Sequence, residues 1–389
     1  MTDAQTETQP RATQTQVPTP IVPPSAGAPR KKHAVFHLLK VAELDRITDD
    51  AVAITFDVPE SLREEFSFEA GQHVSVRATI AGDDVRRSYS ICAPATSGRL
   101  RVGVKRLPEG VFSSYALTRL QVGDALEVMT PSGRFTTPFS ETQAKHYGAI
   151  AAGSGITPIL SILSTALETE PASRASLIYV NKNTQSIMFL EELEDLRNKY
   201  LGRFQMVHVL DGERQEVEMF SGFLDADRLN RILDTVLPDA DIEDWFLCGP
   251  QGLTDLLRDT LVARGHDDST VHRELFIASS PSRAPRVPTP ADAAVDDGSE
   301  VEVILDGRST SFRLGPNGVS VLDAALQTRG DAPYACKNGV CGTCRARVVE
   351  GKVEMDQNFA LERDEVERGY VLACQSHPMS DRVVIDFDQ

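Results

Sequence analysis

The sequence predicts a multidomain protein: an antiparallel β-barrel, then an α/β doubly wound domain, then a small α+β domain. Three observations lead there. From His33 to about residue 143, short apolar stretches are separated by Gly, Pro and Asp turns, the rhythm of an antiparallel barrel. Near Tyr147 the rhythm becomes strand–helix alternation, which implies a parallel sheet covered on both faces. Toward the C-terminus, Tyr334-Ala-Cys336-Lys-Asn-Gly339-Val-Cys341-Gly342-Thr-Cys344 sets three thiols at C-x4-C-x2-C spacing. Cys374 follows after room for a strand and a loop.

The elements follow in order. Residues 1–32 are rich in Thr, Gln, Pro and Ala and have nothing to bury, so a disordered tail is expected. The first domain, residues 33–143, has expected strands at His37–Thr48, Ala51–Val58, His73–Ile80, Val85–Cys92, Arg99–Arg106 and Ala125–Met129. One helix is expected within it, at Phe112–Leu120. In the second domain, residues 144–278, the strands Gly148–Ala152, Leu177–Val180, Phe204–Leu210 and Phe246–Cys248 alternate with helices. Those helices are expected from about Pro158, across Phe189–Lys199, at Asp225–Leu233 and at Leu253–Arg264. Pro, Ala and Ser recur over 279–298, the composition of a linker. Residues 299–389 then offer a hairpin (Val301–Leu314), a helix (Val321–Arg329), the cysteine loop and closing strands.

Composition narrows the function. A length of 389 residues asks for more than one domain, and 41% hydrophobic with 25% charged residues is ordinary for a soluble protein. No apolar run approaches a membrane span, and the polar N-terminus lacks the apolar core of a secretory signal. A net charge of −17 argues against nucleic-acid binding, which needs basic surface. Cys92 and Cys248 stand apart without partners, which suits a reducing compartment. A cytoplasmic location is expected.

The cysteine loop carries the sharpest chemistry. Four thiolates at this spacing are the ligand set of a plant-type [2Fe-2S] cluster. Gly339 and Gly342 would let the loop wrap tightly, with amides turned toward the sulfides. The competing readings are a structural zinc site, which more usually has two C-x2-C pairs or a Cys/His mix, and disulfides, which do not suit a cytosolic chain. A zinc-binding interaction module without enzymatic activity is the alternative of another class.

Upstream, Arg87-Ser88-Tyr89-Ser90 lies on a barrel strand. Arginine would grip a pyrophosphate, tyrosine would stack on a flavin ring, and serine would hydrogen-bond near flavin N5. The bland alternative is an exposed strand. Gly110-Val-Phe-Ser113 opens the barrel helix, whose first N–H groups suit the same pyrophosphate, or else Ser113 is an ordinary cap. Gly153-Ser-Gly155-Ile-Thr157-Pro158 follows an apolar strand and opens a helix. Thr157 would cap it, Pro158 would take its first position, and a dinucleotide pyrophosphate would approach its positive end. Cys248-Gly249-Pro250 ends a late strand at the edge where ligands sit, so its thiol would lie beside a nicotinamide ring or simply be a small buried residue. Glu274 and Phe276 close the domain, the aromatic either covering the flavin or packing in the core.

Together, Arg87-Ser-Tyr89-Ser90, Gly153-Ser-Gly155-Ile-Thr157-Pro158, Cys248-Gly249-Pro250 and the Cys336 loop resemble the ferredoxin–NADP reductase superfamily with a C-terminal plant-type ferredoxin domain. The resemblance spans residues 33–389. It implies an FAD-binding barrel, an NAD(P)-binding domain and a β-grasp [2Fe-2S] ferredoxin domain. By resemblance, Arg87, Tyr89 and Ser90 serve the flavin, with Ser113 near its phosphates. Gly153, Thr157, Cys248 and Gly249 face the nucleotide, Glu274 and Phe276 flank the isoalloxazine, and Cys336, Cys341, Cys344 and Cys374 hold iron. Hydride would pass from NAD(P)H to flavin N5, and single electrons from flavin to cluster, with Ser90, Cys248, Glu274 and Phe276 at the site of transfer. Lys182 follows the second strand of the α/β domain where no neighbouring acid awaits a ribose hydroxyl, so NADPH is expected ahead of NADH. More narrowly, Tyr334–Arg347, Glu354–Glu362 and Val371–Pro378 resemble reductases of phenylacetate breakdown that feed the subunits of a di-iron epoxidase. Reductases of ketosteroid and aromatic-ring hydroxylases share the architecture. The expected partner is therefore an oxygenase component, met by a mildly acidic cluster domain.

Overall fold

A computed structural model of the protein describes residues 35–276, 298–361 and 363–389. The expected tail at 1–32, and the expected linker apart from Gly298, lie outside the described residues.

The first sheet contains β1 (Phe36–Thr48), β2 (Ala51–Asp57), β3 (His73–Ile80), β4 (Asp83–Ser90), β5 (Leu100–Lys105) and β6 (Ala125–Met129). Their order is β4-β3-β6-β1-β2-β5, all antiparallel, and a single bridge from Ile91 to Val102 joins the two edges of this half-barrel. β4 starts two residues before the expected Val85. The two-residue turn at Ala81-Gly82 has positive φ at both positions, so the strands pair right up to Ile80–Asp83. Inside lie Val74, Val76, Ile54, Val102, Val104 and Val128, all essentially inaccessible to water. Helix α1 (Val111–Thr118) packs against β3 and β4.

The second sheet is parallel, in the order β11-β10-β7-β8-β9. Its elements are β7 (His146–Ala152), α2 (Ile156–Thr169), β8 (Arg174–Asn181), α3 (Leu190–Lys199), β9 (Phe204–Leu210), α4 (Ala226–Thr235), β10 (Asp244–Gly249), α5 (Gln251–Ala263) and β11 (Val271–Leu275). The chain runs outward from β7 to β9, then returns to β10 and β11 on the other side. The switch point is thus the C-terminal end of β7, where ligands bind in such sheets.

Helix α2 has no charged residue before Glu168 and every residue from Ile156 to Leu167 is buried, because it lies between the parallel sheet and the barrel. Its hydroxyls serve that second neighbour. Ser161 Oγ donates to the Ala93 carbonyl (2.7 Å), and Thr165 Oγ1 accepts from the Ala95 amide (2.9 Å).

The third unit contains β12 (Ser299–Leu305), β13 (Arg308–Leu314), α6 (Val321–Thr328), β14 (Arg345–Glu350), β15 (Val353–Met355), α7 (Arg363–Glu367), β16 (Tyr370–Leu372), β17 (Ser376–Pro378) and β18 (Arg382–Asp386). The main sheet runs β13-β12-β18-β14-β16, with β12 and β18 parallel, and α6 packs against β13. This is the β-grasp arrangement. Ser320 caps α6, accepting from the Asp323 amide. The cysteine loop runs from α6 to β14, and Cys374 sits in the turn after β16.

Candidate electron-transfer site

The barrel and the parallel sheet meet where β4 ends and where β10 and β11 end. Ser90, the last residue of β4, is buried, and its Oγ donates to Glu274 Oε2 at 3.0 Å across 184 residues of chain. Glu274 stands beside Cys248 in the parallel register of β10 and β11. Burial pushes the Glu274 carboxyl up to about 7, against the lowering effect of the Ser90 hydrogen bond. Cys248 is 1% exposed, and burial with the adjacent Glu274 charge raises its thiol well above the usual range. The thiol therefore stays protonated and uncharged. The Phe276 amide donates to the Gly249 carbonyl (3.0 Å), and its ring packs against the core cluster that includes Cys248. The structure thus gathers Ser90, Cys248, Glu274 and Phe276 at one junction.

Gly153, Gly155, Gly249 and Pro250 lie at the sheet's switch point. A Cβ on Gly155 would sit 2.3 Å from the Cys248 carbonyl oxygen, so only glycine lets this turn meet the end of β10. Gly155→Ala is expected to cost about 1–3 kcal/mol and to weaken nucleotide binding. Thermal melting and nucleotide titration of the variant check both effects.

The helix begins differently from expectation. Gly153–Gly155 forms a 3-10 turn that runs directly into α2 at Ile156. Thr157 therefore lies inside the first turn and is no cap; its hydroxyl donates to the Ser154 carbonyl at 3.0 Å. Pro158 falls third, not first, in a turn where an N–H would have no intrahelical acceptor, so its missing N–H costs no helix hydrogen bond.

At the end of β8, Tyr179 Oη donates to the Gly153 carbonyl (2.9 Å), tying the strand to the glycine turn. Asn181 is 4% exposed, and its amide reaches toward that hydroxyl without a well-formed hydrogen bond. A buried donor and acceptor at this edge fit a dinucleotide. Lys182 is exposed, as a phosphate partner requires. Sequence reading missed a neighbouring acid. Glu213, from the loop after β9, accepts from the Thr184 amide (2.7 Å) and hydroxyl (3.0 Å).

On β4, Arg87 is exposed while Tyr89 is half-buried against Phe112 of α1, with ring centroids 5.4 Å apart. That contact sets the arginine-bearing strand beside the amino end of α1, an arrangement that could hold a pyrophosphate. Ser88 Oγ lies 3.3 Å from Ser75 Oγ. Ser113 turns inward. Its Oγ accepts from the Leu107 amide (3.2 Å) and donates to the Gly110 carbonyl (3.2 Å), closing a local turn. Its side chain is engaged there, and the first amides of α1 remain without intrahelical acceptors, as an anion site would need.

The three loop thiols and Cys374 come together in two pairs, Cys336 with Cys341 and Cys344 with Cys374. Hydrogen bonding within each pair raises Cys336 and Cys344 and holds Cys341 and Cys374 below the usual thiol range. Among the described residues, no three His, Cys, Asp or Glu side chains converge on a single ion. Two pairs instead suit two irons, with two thiolates each. Positive φ at Lys337, Gly339 and Gly342 curls the loop, and the Asn338 and Cys341 amides point at Cys336 Sγ (3.3 and 3.4 Å).

A flavin barrel, a dinucleotide sheet and a paired-thiol loop in one chain define an electron-transfer reductase. The oxidoreductase FAD-binding domain family matches residues 38–137, the oxidoreductase NAD-binding domain family 149–259, and the 2Fe-2S iron-sulfur cluster binding domain family 303–379. The chain is 42% identical over 354 residues to a subunit of the 1,2-phenylacetyl-CoA epoxidase of Escherichia coli K12, covering 91% of this chain and 98% of that protein. It is 35% identical over 360 residues to the ferredoxin reductase component of 3-ketosteroid-9-alpha-monooxygenase of Rhodococcus rhodochrous, covering 90% and 96%. The solved structure of phthalate dioxygenase reductase shares the fold, with TM-score 0.55 and 24% identity over 90% of this chain and 98% of that one. The protein belongs to the ferredoxin–NADP reductase superfamily, in the family of FAD- and NAD(P)H-dependent [2Fe-2S] reductases that act as reductase components of oxygenases. The zinc-module reading is set aside by the same matches. Among the described residues, no helix is long and apolar enough to cross a membrane.

Proposed function

We propose that this protein draws electrons from NADPH and delivers them to the di-iron oxygenase subunits of a phenylacetyl-CoA epoxidase in the cytoplasm. The hydrogen bond from Ser90 to Glu274 carries the reductase chemistry, because it joins the flavin barrel to the nucleotide sheet beside Cys248. Bound flavin would convert the two electrons of a hydride into single electrons that a cluster accepts. The residues then have distinct tasks. Arg87, Ser88, Tyr89, Gly110 and the first amides of α1 bind the flavin, and Gly153, Gly155, Thr157, Gly249 and Pro250 shape the nucleotide's approach. Ser90 and Glu274 hold a proton at the junction, the neutral Cys248 keeps charge away from it, and Phe276 excludes water. Free, unpaired Cys92 and Cys248 support the cytoplasmic assignment. We take the three domains to run over 33–143, 144–278 and 299–389.

The epoxidase assignment rests on the 42% identical relative, and the ketosteroid relative at 35% supports the second reading. The test is reconstitution. NADPH-driven product formation is measured with purified epoxidase subunits and, separately, with a ketosteroid oxygenase. Better coupling to the ketosteroid oxygenase would overturn the assignment. Nucleotide choice has its own test. Lys182→Gln is expected to raise KM for NADPH about tenfold, the loss of one charged phosphate contact, and to leave KM for NADH unchanged. Equal effects on both would remove Lys182 from the site.

A further inference from the structure

Around the Cys336–Cys341 pair, the cluster domain touches the barrel through named side chains. Glu365 on α7 is 0% exposed. Arg345 of β14 donates to its Oε1 from Nε at 2.9 Å, and Arg345 is itself 3.6 Å from the Tyr370 ring centroid. The other carboxylate oxygen pairs with Arg134 of the barrel. Arg134 lies two residues after Ser132, which exchanges backbone hydrogen bonds with His73 at 2.8 and 2.9 Å. His73, itself buried, in turn neighbours the Cys341 thiol. On β4, the guanidinium of Arg86 lies 4.0 Å from the ring centroid of Tyr334, two residues before Cys336.

A carboxylate taken out of water must be paired. Arg345 does this from within the cluster domain, so Glu365 keeps a cationic partner when Arg134 is replaced. Arg134 adds the cross-domain half of the pair, and its side chain is 55% exposed. Contacts between domains of one chain are polar and marginal, so one ion pair shifts the docked population appreciably.

We infer that Arg134 is a positioning residue for internal electron transfer: its ion pair with buried Glu365 seats the Cys336–Cys341 side of the cluster domain on the barrel. Each hydride brings two electrons and one proton. A [2Fe-2S] cluster carries one electron, so this face is crossed twice per nucleotide oxidised while the proton leaves to solvent. The inference rests on the reductase chemistry and is independent of which oxygenase is served.

The holoenzyme variants Arg134→Glu, Arg134→Gln and Arg134→Lys test it in single-turnover mixing with NADPH, following flavin and cluster absorbance separately. Arg134→Glu sets a like charge against Glu365, and cluster reduction is expected to slow about tenfold while flavin reduction stays within about twofold. Arg134→Gln should slow the cluster phase about threefold, and Arg134→Lys should restore most of the rate. Amide hydrogen exchange over 132–135 and 363–368 should quicken in Arg134→Glu, with the cluster's EPR spectrum unchanged. Cluster reduction at the native rate in both Arg134→Glu and Arg134→Gln overturns the inference. So does a flavin phase that slows as much as the cluster phase.

Discussion

Cys336→Ser protein is expected to lose its iron and at least about 100-fold of its electron delivery to a one-electron protein acceptor such as cytochrome c. Its NADPH oxidation with ferricyanide, which draws on the flavin, should stay within about twofold of the native rate. The asymmetry follows from the construction of the loop. Cys336 Sγ is half of one thiol pair and the focus of two backbone amides at 3.3 and 3.4 Å. A serine hydroxyl is a harder, less acidic donor and does not replace a thiolate toward iron. Metal binding and loop order are coupled, so the loss extends to the whole cluster. The barrel and parallel sheet pack around cores that contain no residue of the cluster domain, and are expected to keep hydride chemistry. Iron analysis and visible absorbance read the first effect, and the two acceptor assays read the second. Two irons per chain in the variant would show that Cys336 is not a ligand.

Glu274→Gln is expected to slow single-turnover flavin reduction by NADPH at least about tenfold, the scale of a lost proton-holding group. It should also change how stability depends on pH. The native carboxyl is pushed up to about 7 in the folded protein, from an ordinary value of 4.5. A raised folded-state value favours the folded protein fully below the unfolded value. That contribution is lost as pH rises from about 4.5 through 7. Glutamine does not ionise. The Tm of Glu274→Gln relative to native should therefore increase between pH 5 and pH 8, and the difference should level off above about pH 7. A Tm difference independent of pH would mean that Glu274 is ionised throughout, and that the junction is wetter than its burial implies.

Much of this was legible in the chain. Period-two alternation from His37 and strand–helix alternation from Gly148 announce the two larger domains, because side-chain direction repeats with backbone geometry. The spacing of Cys336, Cys341 and Cys344 is readable for the same reason, since a loop built to wrap a cluster would set these three candidate ligands locally, with Cys374 supplied from the turn after β16. The misreadings were also local. Thr157 and Pro158 have the chemistry of a helix start, but the turn at Gly153–Gly155 winds directly into α2 and moves that start to Ile156. Ser113 does lie in the first turn of α1, and what the chain did not show is that its hydroxyl bonds Leu107 and Gly110.

By itself, the sequence determined the three architectures, the candidate iron ligands and the two candidate halves of the hydride site. Only the tertiary structure decided that Ser90 meets Glu274, that Glu213 stands beside Thr184, and that Arg134 reaches Glu365. The physical reason is one of range. Periodicity and turn chemistry act between neighbours and leave a pattern in the chain. A polar pair closed by folding leaves none, because before the strands are docked each of the 57 acidic residues is an equally good partner for a serine or an arginine.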